Sequence, residues 1–194
     1  MEPTDADARD RADMERLAAG HGPALNDLME RHATPVFHFL CRMVGNEDDA
    51  GDLAQETFAR VLRSCESFRS GERFSAWLYA IAANLARNHF RWRSRHPEMS
   101  LETETGNEKQ TLGDSLPAKE NTPGEQSLVA ERAEAVRNAV GKLPEDLREA
   151  IVLCEWEERS VAEAAAILGA TPKAVESRLY RARQFLRTEL KSWL

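Results

Sequence analysis

Lys173, Arg178, Arg181, Arg183 and Arg187 crowd the segment from 172 to 187, where Glu176 is the single opposing acid. Cations grouped this way neutralise phosphates, and an arginine can also fork onto the edge of guanine. A second stretch, residues 72 to 95, begins with Phe74 and Trp77 and ends with Arg87, Arg91, Arg93 and Arg95, with His89, Phe90, Trp92 and His96 among and beside the arginines. Aromatic faces can stack on unstacked bases while cations hold the backbone. A third cluster is acidic. Asp49, Asp52 and Glu56 step by three and four, so on a helix they form, with Gln55, one compact polar patch. Taken singly, each cluster is also what a solvated helix face or an ordinary helical core looks like.

The composition removes other chemistries. No Gly-x-Ser-x-Gly elbow, glycine-rich phosphate loop or Cys/His signature occurs, which argues against an enzyme. Cys41, Cys65 and Cys154 are odd in number and far apart, so neither a disulfide framework nor a metal clip is expected. His38 and Cys41 can share a helix face, but one pair leaves a metal short of ligands, and no metal, cofactor or small-molecule substrate is expected. No apolar run is long enough for a membrane span, and the polar, acidic start is unlike a signal peptide, so a cytoplasmic protein is expected.

These residues need helices to position them. Nearly every periodic segment has helical spacing, which predicts an all-α protein of two small domains, 10–96 and 128–194. Helices are expected near 10–20, 23–44, 47–65, 72–95 and 125–141, with another starting at Pro144. In 47–65, Leu53, Thr57, Phe58, Val61 and Leu62 should point inward. Residues 97–127 carry three prolines, three glycines and a net charge of minus 5, against minus 7 for all 194 residues, and read as a flexible acidic linker. Near the C-terminus, Val161, Ala164, Ala165 and Leu168 form an apolar face. Gly169 then suits a left-handed helix end, and Thr171 before Pro172 suits an N-cap followed by proline at the first helical position. Val175 and Leu179 turn inward, which leaves the cations outward or lateral. This is the arrangement of a helix-turn-helix.

The segments GDLAQETFARV, FSAWLYAIAANLARNHFR, LPEDLREAIVL and SVAEAAAILGATPKAVESRLYRAR, in that order around a linker, resemble the sigma-70 family of bacterial RNA polymerase sigma factors, and within it the extracytoplasmic-function (ECF) group. The resemblance implies that 10–96 is region 2 and 128–194 is region 4. It implies docking of Asp49, Asp52, Gln55 and Glu56 on core RNA polymerase, through its β′ and β subunits. It implies capture of the promoter minus-10 element by Phe68, Arg69, Ser75, Trp77, Asn84, Arg87, Asn88 and Arg91. Minus-35 DNA would then meet Lys173, Glu176, Ser177, Arg178, Tyr180 and Arg181. A membrane-anchored anti-sigma factor is the further partner it implies, and the acidic linker would occupy a basic polymerase channel.

Two other readings compete. A dimeric helix-turn-helix regulator would bind an operator without core polymerase. A helical adaptor would tolerate loss of Arg178 and Arg181.

Overall fold

The computed structural model describes residues 5–69, 71–96 and 123–193, with side chains from residue 128 onward in the last segment. Among the described residues all regular structure is helical. Helices α1 (Asp5–Ala18), α2 (Ala24–Val44), α3 (Glu47–Arg63) and α4 (Phe74–Arg95) form the N-terminal domain. Helix α5 (Pro123–Gly141), the short α6 (Glu145–Ile151), α7 (Val161–Leu168) and α8 (Pro172–Glu189) form the C-terminal one. Most of the expected linker lies outside the described residues, and its last five positions already belong to α5. The first helix begins at Asp5, earlier than periodicity suggested.

The caps follow from local chemistry. Gly45 ends α2 at φ +75°, and Asn46 starts α3 by accepting the Asp49 N–H at 2.9 Å. In the turn between α7 and α8, Gly169 takes φ +62° and the Thr171 hydroxyl accepts the Ala174 N–H at 3.2 Å. Ser160 and Glu163 close a capping box at the start of α7.

Phe39, Leu40, Met43, Leu78 and Tyr79 fill the N-terminal bundle, and Leu147, Ile151, Leu153, Val175 and Leu179 fill the C-terminal one. Each such side chain contributes about 1.5–3 kcal/mol of burial. The two sets join in a single apolar core across the domain boundary. Leu62 is not part of it: it is 47% exposed, because the buried stripe of α3 runs through Ala50, Thr57 and Val61 and leaves Leu62 at its edge. Cys41, Cys65 and Cys154 are only partly buried, and burial raises the Cys41 thiol to about 11.

One irregularity has no counterpart in the sequence pattern. The helix that begins at Glu145 continues as a π-helical turn over Val152–Trp156, where the Glu157 N–H reaches back to the Val152 carbonyl at 3.1 Å. Glu158 then adopts φ +51°, a left-handed conformation uncommon for a residue with a side chain.

Candidate nucleic-acid interface

The expected minus-10 residues divide between two faces of α4. Trp77, Asn84, Asn88 and Arg91 are separated by seven, four and three positions, so they share one stripe. Asn84, Asn88 and Arg91 are exposed, and Trp77 is partly so. Just before the helix, the Phe68 ring lies 5.4 Å from that of Trp77 and 6.1 Å from that of Phe74, and Arg69 is exposed. The stripe and the loop therefore form one aromatic and amide surface. Further along α4, Trp92 is 45% exposed and stacks on His96 at 4.9 Å. An asparagine amide offers donor and acceptor together, which is what reading a base edge needs.

Ser75 and Arg87 lie elsewhere. Ser75 is buried, and Arg159 of the C-terminal domain donates to its hydroxyl at 3.4 Å. Arg87 Nε sits 2.7 Å from a carboxylate oxygen of Glu149 on α6. The family resemblance names both residues, but spacing alone sets Ser75, two positions before Trp77, on the far side of α4, and packing against the C-terminal domain engages Arg87 at the flank of the stripe.

The acidic patch is divided too. Asp52 and Gln55 are exposed on α3. Glu56 is engaged by Arg60 at 2.9 Å and Arg63 at 2.7 Å, and these arginines hold its carboxyl below the usual range. Asp49 is turned toward α4, 3.5 Å from His89 and 3.6 Å from Arg93. Asp52, Gln55 and Glu56 are thus the outward part of the set.

On α8, Lys173, Glu176, Ser177, Tyr180 and Arg181 are exposed, with Tyr180 at 66%. Arg178 is lateral and half-covered. Its Nε approaches Asp146 at 3.5 Å, and Arg181 reaches the same carboxylate at 3.8 Å. Arg183 is paired with Glu155 at 2.6 Å. The basic face of the second helix is therefore partly neutralised from within the domain.

Another set of polar groups joins the two domains. Arg148 is buried and donates to the carbonyls of Met43 at 2.5 Å, Leu143 at 3.0 Å and Gly141. Its guanidinium also lies over the Phe90 ring at 5.2 Å. The Tyr79 hydroxyl donates to Glu157 at 2.5 Å, Arg42 approaches the same carboxylate at 3.5 Å, and Arg73 is joined to Glu163. Burial pushes the Glu149 and Glu157 carboxyls up, and the neighbouring cations only partly oppose it. None of these contacts was anticipated. The nearest signal is a pair of charged residues, Arg148 and Glu149, set directly between Leu147 and the apolar Ala150 and Ile151.

Among the described residues there is no group of three or more His, Cys, Asp or Glu arranged to hold a metal, and no helix is long and apolar enough to cross a membrane.

Residues 28–96 match the family model described as Sigma-70 region 2, and residues 133–186 match the one described as Sigma-70, region 4. The chain is 34% identical over 182 residues to the ECF RNA polymerase sigma-E factor of Haemophilus influenzae, covering 94% of this chain and 95% of that protein. It is 31% identical to the ECF RNA polymerase sigma factor SigW of Bacillus subtilis, covering 92% and 95%. Among solved structures it resembles CnrH in complex with the cytosolic domain of CnrY, with a TM-score of 0.68, 27% identity and coverage of 95% and 98%. It also resembles the sigma factor RpoE in complex with the anti-sigma factor NepR from Bartonella quintana, with a TM-score of 0.61, 26% identity and coverage of 87% and 98%.

Proposed function

This chain belongs to the sigma-70 family, among its ECF sigma factors, and on that footing we propose which of its surfaces carry out promoter recognition. Asp52, Gln55 and Glu56 on α3 dock on core RNA polymerase in the cytoplasm. The loop from Phe68 with the Trp77, Asn84, Asn88 and Arg91 stripe takes the unstacked minus-10 strand. Lys173, Glu176, Ser177, Tyr180 and Arg181 meet the duplex at minus-35. The observation that carries this reading is the exposed aromatic and amide stripe on α4, together with a separate basic helix-turn-helix face on α8.

Such a sigma factor has to open. Promoter elements centred near minus-10 and minus-35 are about 25 base pairs apart, or about 85 Å along B-form DNA. The domains here share one core, with Ser75 and Arg87 covered by the partner domain. We read this closed arrangement as the form that does not bind promoters. The likeness to RpoE bound to the anti-sigma factor NepR supports an anti-sigma partner for this chain, and a membrane-anchored one is our expectation.

Run-off transcription with core polymerase on genomic fragments tests the function. Start sites with a shared pair of upstream motifs are expected, seen only when the protein is added to core. Tight operator binding without polymerase, and no effect on start-site choice, would favour a conventional regulator instead.

A further inference from the structure

We propose that α1 is a positioning element for the minus-10 loop, acting through a part-buried Asp10–His32 pair seated behind Phe74. The idea rests on the reading that the Phe68 and Trp77 surface receives an unstacked base. Helix α1 lies outside the residues matched by the region 2 model, which begins at Leu28. It nevertheless buries two carboxylates, Asp10 at 3% exposure and Asp13 at 7%.

Arg31 on α2 grips both, with Nε donating to Asp10 at 2.9 Å and Nη2 to Asp13 at 2.5 Å. The other Asp10 oxygen lies 2.8 Å from His32 Nε2. Burial alone would push the Asp10 carboxyl up, but the hydrogen bonds and charges of His32 and Arg31 hold it below the usual range. An ionised carboxylate only accepts, so Nε2 of His32 carries the proton and the ring orientation is set.

The consequence reaches the loop. The His32 ring meets Phe74 edge-on at 5.2 Å, and Phe74, itself 2% exposed, touches both Phe68 and Trp77. A second tie runs from Asp7 on α1 to Arg73, the residue before Phe74, at 3.6 Å. Replacing buried ion pairs by apolar side chains is often neutral or stabilising, so holding α1 in place does not require this network. What the network adds is direction. It fixes the ring against which the aromatic surface packs, and stacking on a base depends on aromatic groups held within about 0.5 Å of the productive geometry.

The test uses holoenzyme assembled from core polymerase and full-length protein. The probe is the single-stranded non-template minus-10 oligonucleotide from the strongest start site found by run-off mapping. Asp10→Asn and His32→Ala are expected to weaken capture of this strand about tenfold, the scale of one lost base stack. Affinity for core polymerase and for minus-35 duplex should stay unchanged, and His32→Gln, which keeps an N–H toward Asp10, should recover most of the loss. If these variants lower polymerase and oligonucleotide affinity together, in step with lost thermal stability, the network is merely structural and the proposal falls. If Trp77→Ala abolishes capture while Asp10→Asn and His32→Ala leave it intact, the proposal falls and the minus-10 reading stands. If the wild-type holoenzyme ignores the oligonucleotide, both fall.

Discussion

Arg87 and Glu149 form an ion pair at 2.7 Å between α4 and α6, so a cation expected at promoter DNA is held by a carboxylate of the other domain. Glu149 is 3% exposed, so the opening we propose would free Arg87 and return this carboxylate to water together.

That coupling predicts a pH effect. Burial raises the closed-state carboxyls of Glu149, which faces Arg87, Arg178 and Glu145, and of Glu157, which faces Tyr79, Arg42, Arg159 and His38. Their contribution to closure is fully present below the ordinary glutamate value of about 4.3 and is lost as pH rises through the raised values. The radius of gyration from small-angle scattering should grow as pH rises above the ordinary glutamate range, and Glu149→Gln should flatten that rise. The lowered carboxyls of Asp10, Glu56 and Glu163 lose their contribution only as pH falls further, so they do not set this window.

Arg148→Met should destabilise the protein. The carbonyls of Met43, Gly141 and Leu143 would lose a buried charged donor. Leaving such acceptors unpaired costs about 2–4 kcal/mol, partly offset by the lower desolvation cost of methionine. Urea unfolding should report the loss as a lower midpoint.

Asp146→Asn should strengthen minus-35 binding. The carboxylate lies within 4 Å of both Arg178 and Arg181, at 3.5 and 3.8 Å, and competes with phosphate for them. Removing it should steepen the salt dependence of holoenzyme binding to minus-35 duplex by about one phosphate contact, and Arg181→Ala should make it shallower by about the same amount.

Asp52→Arg should weaken capture by core polymerase at least tenfold, whereas Asp49→Asn should act mainly on stability. Asp52 is exposed, but Asp49 already serves His89 and Arg93. Fluorescence titration against core enzyme, run beside thermal melts, separates the two. A surface pair of this kind contributes about 0–1 kcal/mol to folding.

Much of this protein is written locally. Gly169, Thr171 and Pro172 act on backbone within a few residues of themselves, so the turn between α7 and α8 is legible from them, and the four-residue step from Val175 to Leu179 assigns the buried side of α8. The same locality puts Trp77, Asn84, Asn88 and Arg91 on one stripe of α4, whereas their link to the minus-10 element comes from the family resemblance. Tertiary structure decided the rest. Arg87 and Glu149, Tyr79 and Glu157, and Asp10 and His32 meet only because helices distant in the chain pack together. Periodicity gives a side chain's angle around its own helix but not the neighbour on that side, so the contacts of Ser75 with Arg159 and of Arg87 with Glu149 are not legible along the chain. Burial of a charge such as Arg148 or Glu149 is likewise invisible along the chain. It depends on partners from other elements that repay the lost hydration.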